Sequence, residues 1–212
     1  MSPDPAPSTN PTNRFTRIPI DFFFGINLLL FFGLCVFRYY HRFIAFRGSE
    51  NIHEFFIYAV TLMAGVGLLW RYFRQHFLPW QLLILAQAGI LLHFFGAFFR
   101  LGDVRLYDSY VLHVRYDKIV HFYNAFVACL FLQRIFTTSR FPLSRLGFLI
   151  IMLSTMGLGS LIEIIEYGVV KTIPHNGVGD YDNNLQDLCA NMVGCLVFAA
   201  TRRLGKKDPT GD

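Results

Sequence analysis

Six apolar runs, each about long enough to cross a bilayer, constrain this chain more than any motif it carries. They fall at roughly residues 19–37, 54–73, 79–100, 117–136, 146–170 and 184–201, and Arg, Lys, Gly or Pro breaks every junction between them. About 20 apolar residues in a helix span the roughly 30 Å of hydrocarbon in a bilayer. In lipid, each backbone N–H and C=O must be bonded within its own segment, so isolated runs of this length dictate helices. The reading is an all-α, polytopic membrane protein with six transmembrane helices in one bundle over residues 19–201. A tail at 1–18, rich in Pro, Ser, Thr and Asn and expected to be disordered, precedes it, and a basic tail at 202–212 follows.

Composition supports this. The 212 residues are 54% hydrophobic and only 16% charged, with 24 Phe, where a soluble domain carries about 25% charged residues. The net charge of +5 does not indicate nucleic acid, because Lys and Arg sit between the apolar runs rather than in one basic stripe. Membrane lipids are the expected partners. Cys35, Cys129, Cys189 and Cys195 lie in apolar helical pattern without zinc-ribbon or thioredoxin spacing, so buried reduced thiols are expected. No small-x-small cleavage site follows the first run before Arg38, so that run is expected to stay in the membrane.

Six spans put both termini on one side. That side carries eleven Lys and Arg (Arg14, Arg17, Arg71, Arg74, Arg134, Arg140, Arg145, Arg202, Arg203, Lys206, Lys207) against eight on the other. The positive-inside rule then places both termini in the cytoplasm, for a multi-pass protein of the bacterial inner membrane. The start of span four, the end of span five and the start of span six share the opposite, periplasmic face.

Polar residues converge there. Asp117, His121 and Asn124 follow one another at helical steps in span four. In span three, Ala86, Gly89, Gly96 and Ala97 flank His93, a small-residue face for close helix contact. Span five carries Glu163 and Glu166 about 60° apart, with Gly159 and Ser160 on the same side. Span six opens with Asp187, Asn191 and Gly194 on one face. Asp117, His121, Glu163, Glu166, Asp187, Asn191 and His93 lie within roughly 0 to 12 Å of the outer boundary. A charge at the centre of a membrane helix costs about 2.5 to 3.5 kcal/mol on insertion scales, so such a group implies mutual pairing, water or a bound ion.

Two readings stay open. In one, the residues form a packing network: Lys118 or Arg115 neutralises an acid, and Asp117 and Asp187 satisfy helix N-termini. In the other they form a site. Glu163, Glu166 and His121 lie too deep for capping, and two nearby glutamates do not both ionise cheaply without a cation. The candidate catalytic residues are Glu163, Glu166 and His121, with Asp117, His93, Asp187, Asn191 and Asp182 as substrate or ion ligands. A divalent metal on His121, Glu163, Glu166 and Asp187 is the candidate cofactor, although no HExxH motif is present. The loop from 171 to 187, with His175, Asp180 and Asp182, lacks EF-hand spacing and is a candidate lid. The stretch from Leu101 to Tyr116 reads as an amphipathic surface segment, and His41, His53 and His113 as interfacial residues. Neither a nucleophile elbow nor a P-loop or dinucleotide fingerprint occurs.

The blocks "LHFFGAFF" at 92–99, "RYDKIVHF" at 115–122, "LIEIIEYG" at 161–168 and "GDYDNNLQDLCANMVG" at 179–194 resemble the signature blocks of YjdF-type bacterial inner-membrane proteins. The resemblance runs over roughly residues 20–202 and implies His93 and Gly96, Asp117 and His121, Glu163 and Glu166, and Asp180, Asp182 and Asp187 as its marked positions. More distantly, the order of Asp, Lys, His, Glu, Asp and Asn is similar to VanZ-like proteins. Glu166 stands where those proteins carry Gln, so the antibiotic-resistance role associated with them is not transferred. The resemblance implies a fold and site positions without a reaction. The reading from the residues is an envelope or lipid-linked substrate, with ion or proton relay as the alternative.

Overall fold

A computed structural model describes residues 17–76, 78–172 and 180–204. Residues 1–16 of the expected tail at 1–18, His175 in the candidate lid, and residues 205–212 lie outside the described residues, and Ile18, the last residue of that tail, opens the first helix. The helices are α1 (Ile18–Leu34), α2 (Tyr40–Arg47), α3 (Ile52–Phe73), α4 (Trp80–Phe98), α5 (Tyr116–Thr138), α6 (Arg145–Thr172) and α7 (Tyr181–Leu204). A π-helical turn, Cys35–Tyr39, makes α1 and α2 one continuous rod, so the six expected spans correspond to six rods.

Five of these are long and apolar enough to cross a membrane: Ile18–Ala45, Ser49–Phe73, Trp80–Phe98, Tyr116–Thr138 and Arg145–Gly168. The sixth, α7, has 24 residues but carries Asp182, Asp187 and Arg202 among its apolar positions. Its polar residues Asp187 and Asn191 are buried against neighbouring helices instead of meeting lipid.

Packing falls into two units, residues 1–80 and 81–212. In the first, the α1–α2 rod and α3 form a helical hairpin that reverses at Gly48, whose φ of +81° suits a residue without Cβ. Arg47 pairs with Glu54 at 2.9 Å beside the turn. At the other end Asp21 accepts Trp70 Nε1 at 2.8 Å and pairs with Arg74 at 3.0 Å, while the guanidinium lies over the Trp70 ring. No residue of α3 is buried, which leaves its Phe, Leu and Ile side chains for lipid.

The second unit is built on α5, α6 and α7, with α5 and α7 in the most extensive contact. Its apolar centre is Ala125, Cys129, Ile151, Cys195 and Phe198. Gly194 permits the close approach of α5 and α7: a Cβ there would strike the Phe122 carbonyl. Cys129, Cys195 and, in the first unit, Cys35 are buried free thiols as expected, but Cys189 is exposed on the outer face of α7.

Between α4 and α5 the structure departs from the expected amphipathic segment. It forms two short antiparallel hairpins, Arg100–Leu101 with Val104–Arg105 and Tyr110–Val111 with Val114–Arg115, joined by a 3₁₀ turn at Leu106–Asp108. Two-residue strands carry too few positions for an alternating pattern to show in the sequence.

Candidate metal centre

In α5, α6 and α7 the local spacing brings three side chains to one level. His121 is five residues from the start of α5, Asp187 six from the start of α7, and Glu163 nine from the end of α6. At 1.5 Å per residue, these are about 7 to 14 Å inside their helix ends. One ligand atom from each of His121, Glu163 and Asp187 lies within 4.8 Å of the other two, a spacing that could hold a metal ion. Glycine makes room for this: Asn191 sits against Gly159, its Nδ2 2.6 Å from where a Cβ would be, and Gly194 draws α7 onto α5.

The environments of the acids differ sharply. Asp187 is 2% exposed and well satisfied. Its Oδ1 accepts Lys118 Nζ at 2.9 Å and lies 3.4 Å from His121 Nε2, and its Oδ2 accepts Asn183 Nδ2 at 2.9 Å. Asp117, equally buried, pairs with Lys118 at 3.2 Å and Arg115 at 3.3 Å and accepts the Lys118 amide at 2.7 Å. Lys118 also donates to the Asn183 backbone oxygen at 3.1 Å and its side-chain oxygen at 2.9 Å. Glu163 is 6% exposed, and both of its carboxylate oxygens are buried without a hydrogen-bond partner. A buried carboxylate left unpaired costs several kcal/mol, so this group is the odd one out.

Charge in the cluster is unbalanced. Arg105, Arg115 and Lys118 face Asp108, Asp117, Asp187, Glu163 and Glu166 through direct pairs or electrostatic contact. Three cations thus meet five carboxylates among the described residues, with histidine neutral.

Other predicted positions divide. Asn191 is buried beside Gly159, as expected of an inward face. Glu166 is half-buried in electrostatic contact with Asp187 and Lys118, but it is outside the group of three. His93 is exposed along part of its surface, and its Nδ1 meets the Tyr107 hydroxyl at 2.5 Å. Asn124 turns toward α4, where its amide oxygen occupies the space over Gly89. Asp182 is a correction: it is exposed and forms no ion pair among the described residues. Five residues at 100° each rotate it about 140° around α7 from Asp187, away from the cluster. Asp180 caps α7 by accepting the Asn183 amide at 2.9 Å.

A family model described as predicted membrane protein (DUF2238) matches residues 23–207. The chain belongs to this family. No curated protein and no solved structure matches it. The DUF2238 match covers all four helices that carry the polar cluster, including α7, whose apolar character is weakest.

Tyr107, which the sequence placed only in the surface segment between spans three and four, lies at the edge of this cluster beside His93. The 3₁₀ turn between the hairpins lays its ring over Gly96, against Tyr116 at a centroid separation of 6.2 Å. Burial holds its phenol above the ordinary value, and the carboxylates of Glu166, Asp117 and Asp187 push in the same direction. Lys118, the hub of the network, was legible as a neutralising cation.

Proposed function

We propose that the protein is a divalent-cation site embedded near the periplasmic face of the bacterial inner membrane, with both termini cytoplasmic. His121, Glu163 and Asp187 hold the cation, and Glu166 stands by as general base for a lipid-linked or envelope substrate. The motif order of YjdF-type proteins, and at greater distance of VanZ-like ones, supports the same positions. The observation that carries the reading is Glu163, a buried carboxylate with neither oxygen partnered, aimed at a histidine and a second carboxylate. One imidazole with two carboxylates suits Zn, Mn or Fe. A cation there supplies Lewis acidity and offsets the surplus of two negative charges.

The packing-network reading accounts for one half of the cluster. Lys118, Asp117, Asn183 and Asp187 satisfy one another and lock α5 to α7. It does not account for Glu163.

Titration of the detergent-purified protein with Mn²⁺, followed by loss of the free-ion EPR signal, tests the proposal. Wild type is expected to bind one ion per chain, and Glu163→Gln and His121→Ala to bind at least tenfold more weakly. Equal binding by all three, or none by wild type, overturns it. The orientation has its own test: Gly177→Cys should react with an impermeant maleimide in intact cells.

A further inference from the structure

The segment between α4 and α5 pairs Asp108, Arg105 and Arg115 on its partly buried side and leaves several apolar side chains exposed. Asp108 takes Arg105 at 2.8 Å and Arg115 at 2.9 Å, and Arg115 also reaches Asp117 of α5 at 3.3 Å, so each of these charges has a partner. Backbone amides of Leu106, Ser109 and Tyr116 bond the carbonyls of Phe99, Leu106 and Ser109 at 2.9, 3.0 and 2.9 Å, closing the fold of the segment. Exposed on the first hairpin are Leu101 and Val104, which flank a turn at Gly102 and Asp103, and on the second Tyr110, Val111, Leu112 and Val114, with His113 beside Leu112 at the turn.

The second tip is unusual. Leu112 and His113 have φ of +49° and +66°, a pair of left-handed positions that a two-residue hairpin turn usually gives to Asn and Gly. A bulky leucine is disfavoured there, yet Leu112 is held in that conformation and is 91% exposed. Water offers no return for this arrangement. Phe98 ends one membrane-spanning helix and Tyr116 begins the next, so the first hairpin starts two residues after one span and the second finishes one residue before the other.

We propose that the double hairpin is seated in the lipid headgroup layer, with Leu112 and Val104 inserted toward the acyl chains. Continuity with two spans and the pairing of Asp108 with Arg105 and Arg115 favour the bilayer over a soluble protein as the occupant, since an inserted element must satisfy its own polar groups. Tyr110 and Arg100 then lie at the depth where aromatic and basic side chains anchor. The consequence for the site is positional: Tyr107, between the two hairpins, is held at headgroup level beside His93.

Leu112→Trp and Val104→Trp, each reconstituted in phosphatidylcholine nanodiscs, report the depth of the second tip and of the strand that follows the first turn. Emission from Trp70 and Trp80 is subtracted using the parent protein. Both added tryptophans are expected to lose most of their emission when the lipid is brominated high on the acyl chain, and to resist aqueous iodide. Quenching by iodide but not by brominated lipid, at either position, overturns the proposal. Both positions are exposed, so the substitutions leave the fold intact. The result is independent of whether the Mn²⁺ titration succeeds.

Discussion

Replacing Glu163 by Gln should separate the effect of its charge from that of its shape. The side chain keeps its size but loses a negative charge whose oxygens accept no hydrogen bond among the described residues. With Glu163 and Asp187 both ionised and their nearest oxygens within 4.8 Å, repulsion at an effective dielectric of 20 is about 3.5 kcal/mol. Lys118, 2.9 Å from Asp187, offsets part of that, so about 1 to 2 kcal/mol is expected to surface. For a chain of this size each kcal/mol moves Tm by about 2 to 4 °C. In chelator, Glu163→Gln should therefore melt about 2 to 8 °C above wild type. A cation at one hundred times its Kd stabilises the folded state by about 2.7 kcal/mol. Wild type should gain about 5 to 11 °C on adding Mn²⁺, and the variant almost nothing. The assay is thermal denaturation in detergent, run with chelator and with Mn²⁺ for both proteins. A variant that melts well below wild type in chelator, or that gains as much from Mn²⁺, refutes the reasoning.

Asp187→Asn leaves Lys118 facing fewer negative groups in a buried setting and should cost about 3 to 5 kcal/mol, read as a fall in Tm that Mn²⁺ does not restore. Gly194→Ala sets a methyl against the Phe122 carbonyl, so α5 and α7 must separate. The expected loss is about 1 to 3 kcal/mol, with weaker Mn²⁺ binding although no ligand has changed. Tyr107→Phe should leave Mn²⁺ stoichiometry intact and alter the alkaline limb of stability. The phenol's raised value means its contribution is complete below about pH 10 and is lost as pH rises further. Melting curves between pH 9 and 11 should accordingly fall more steeply for wild type than for the variant.

Much of this was legible because a bilayer leaves few choices. Apolar length located all six rods, and the i, i+3 spacing of Glu163 and Glu166 beside Gly159 located an inward face of α6. The same helical geometry exposes where reading residues by proximity in sequence fails: Asp182 and Asp187 share a segment but not a face. Asn124 was read as part of the acid-facing stripe, yet a step of three residues rotates it about 60° from His121, enough to meet Gly89 on α4. Tyr107 was hidden for a different reason. Its position depends on two successive two-residue turns and on the absence of a side chain at Gly96, and no periodic signal encodes that combination. The distinction between Asp187, fully partnered, and Glu163, unpartnered, needs three helices in register.

The central claim is that His121, Glu163 and Asp187 form one cation site, and X-ray absorption at the K-edge of the Zn²⁺-loaded protein tests it most directly. The account predicts a first shell of nitrogen and oxygen at about 2.0 to 2.2 Å, with the outer-shell scattering of a single imidazole that disappears in His121→Ala. Sulfur at about 2.3 Å, or a spectrum that His121→Ala and Glu163→Gln leave unchanged, would contradict it.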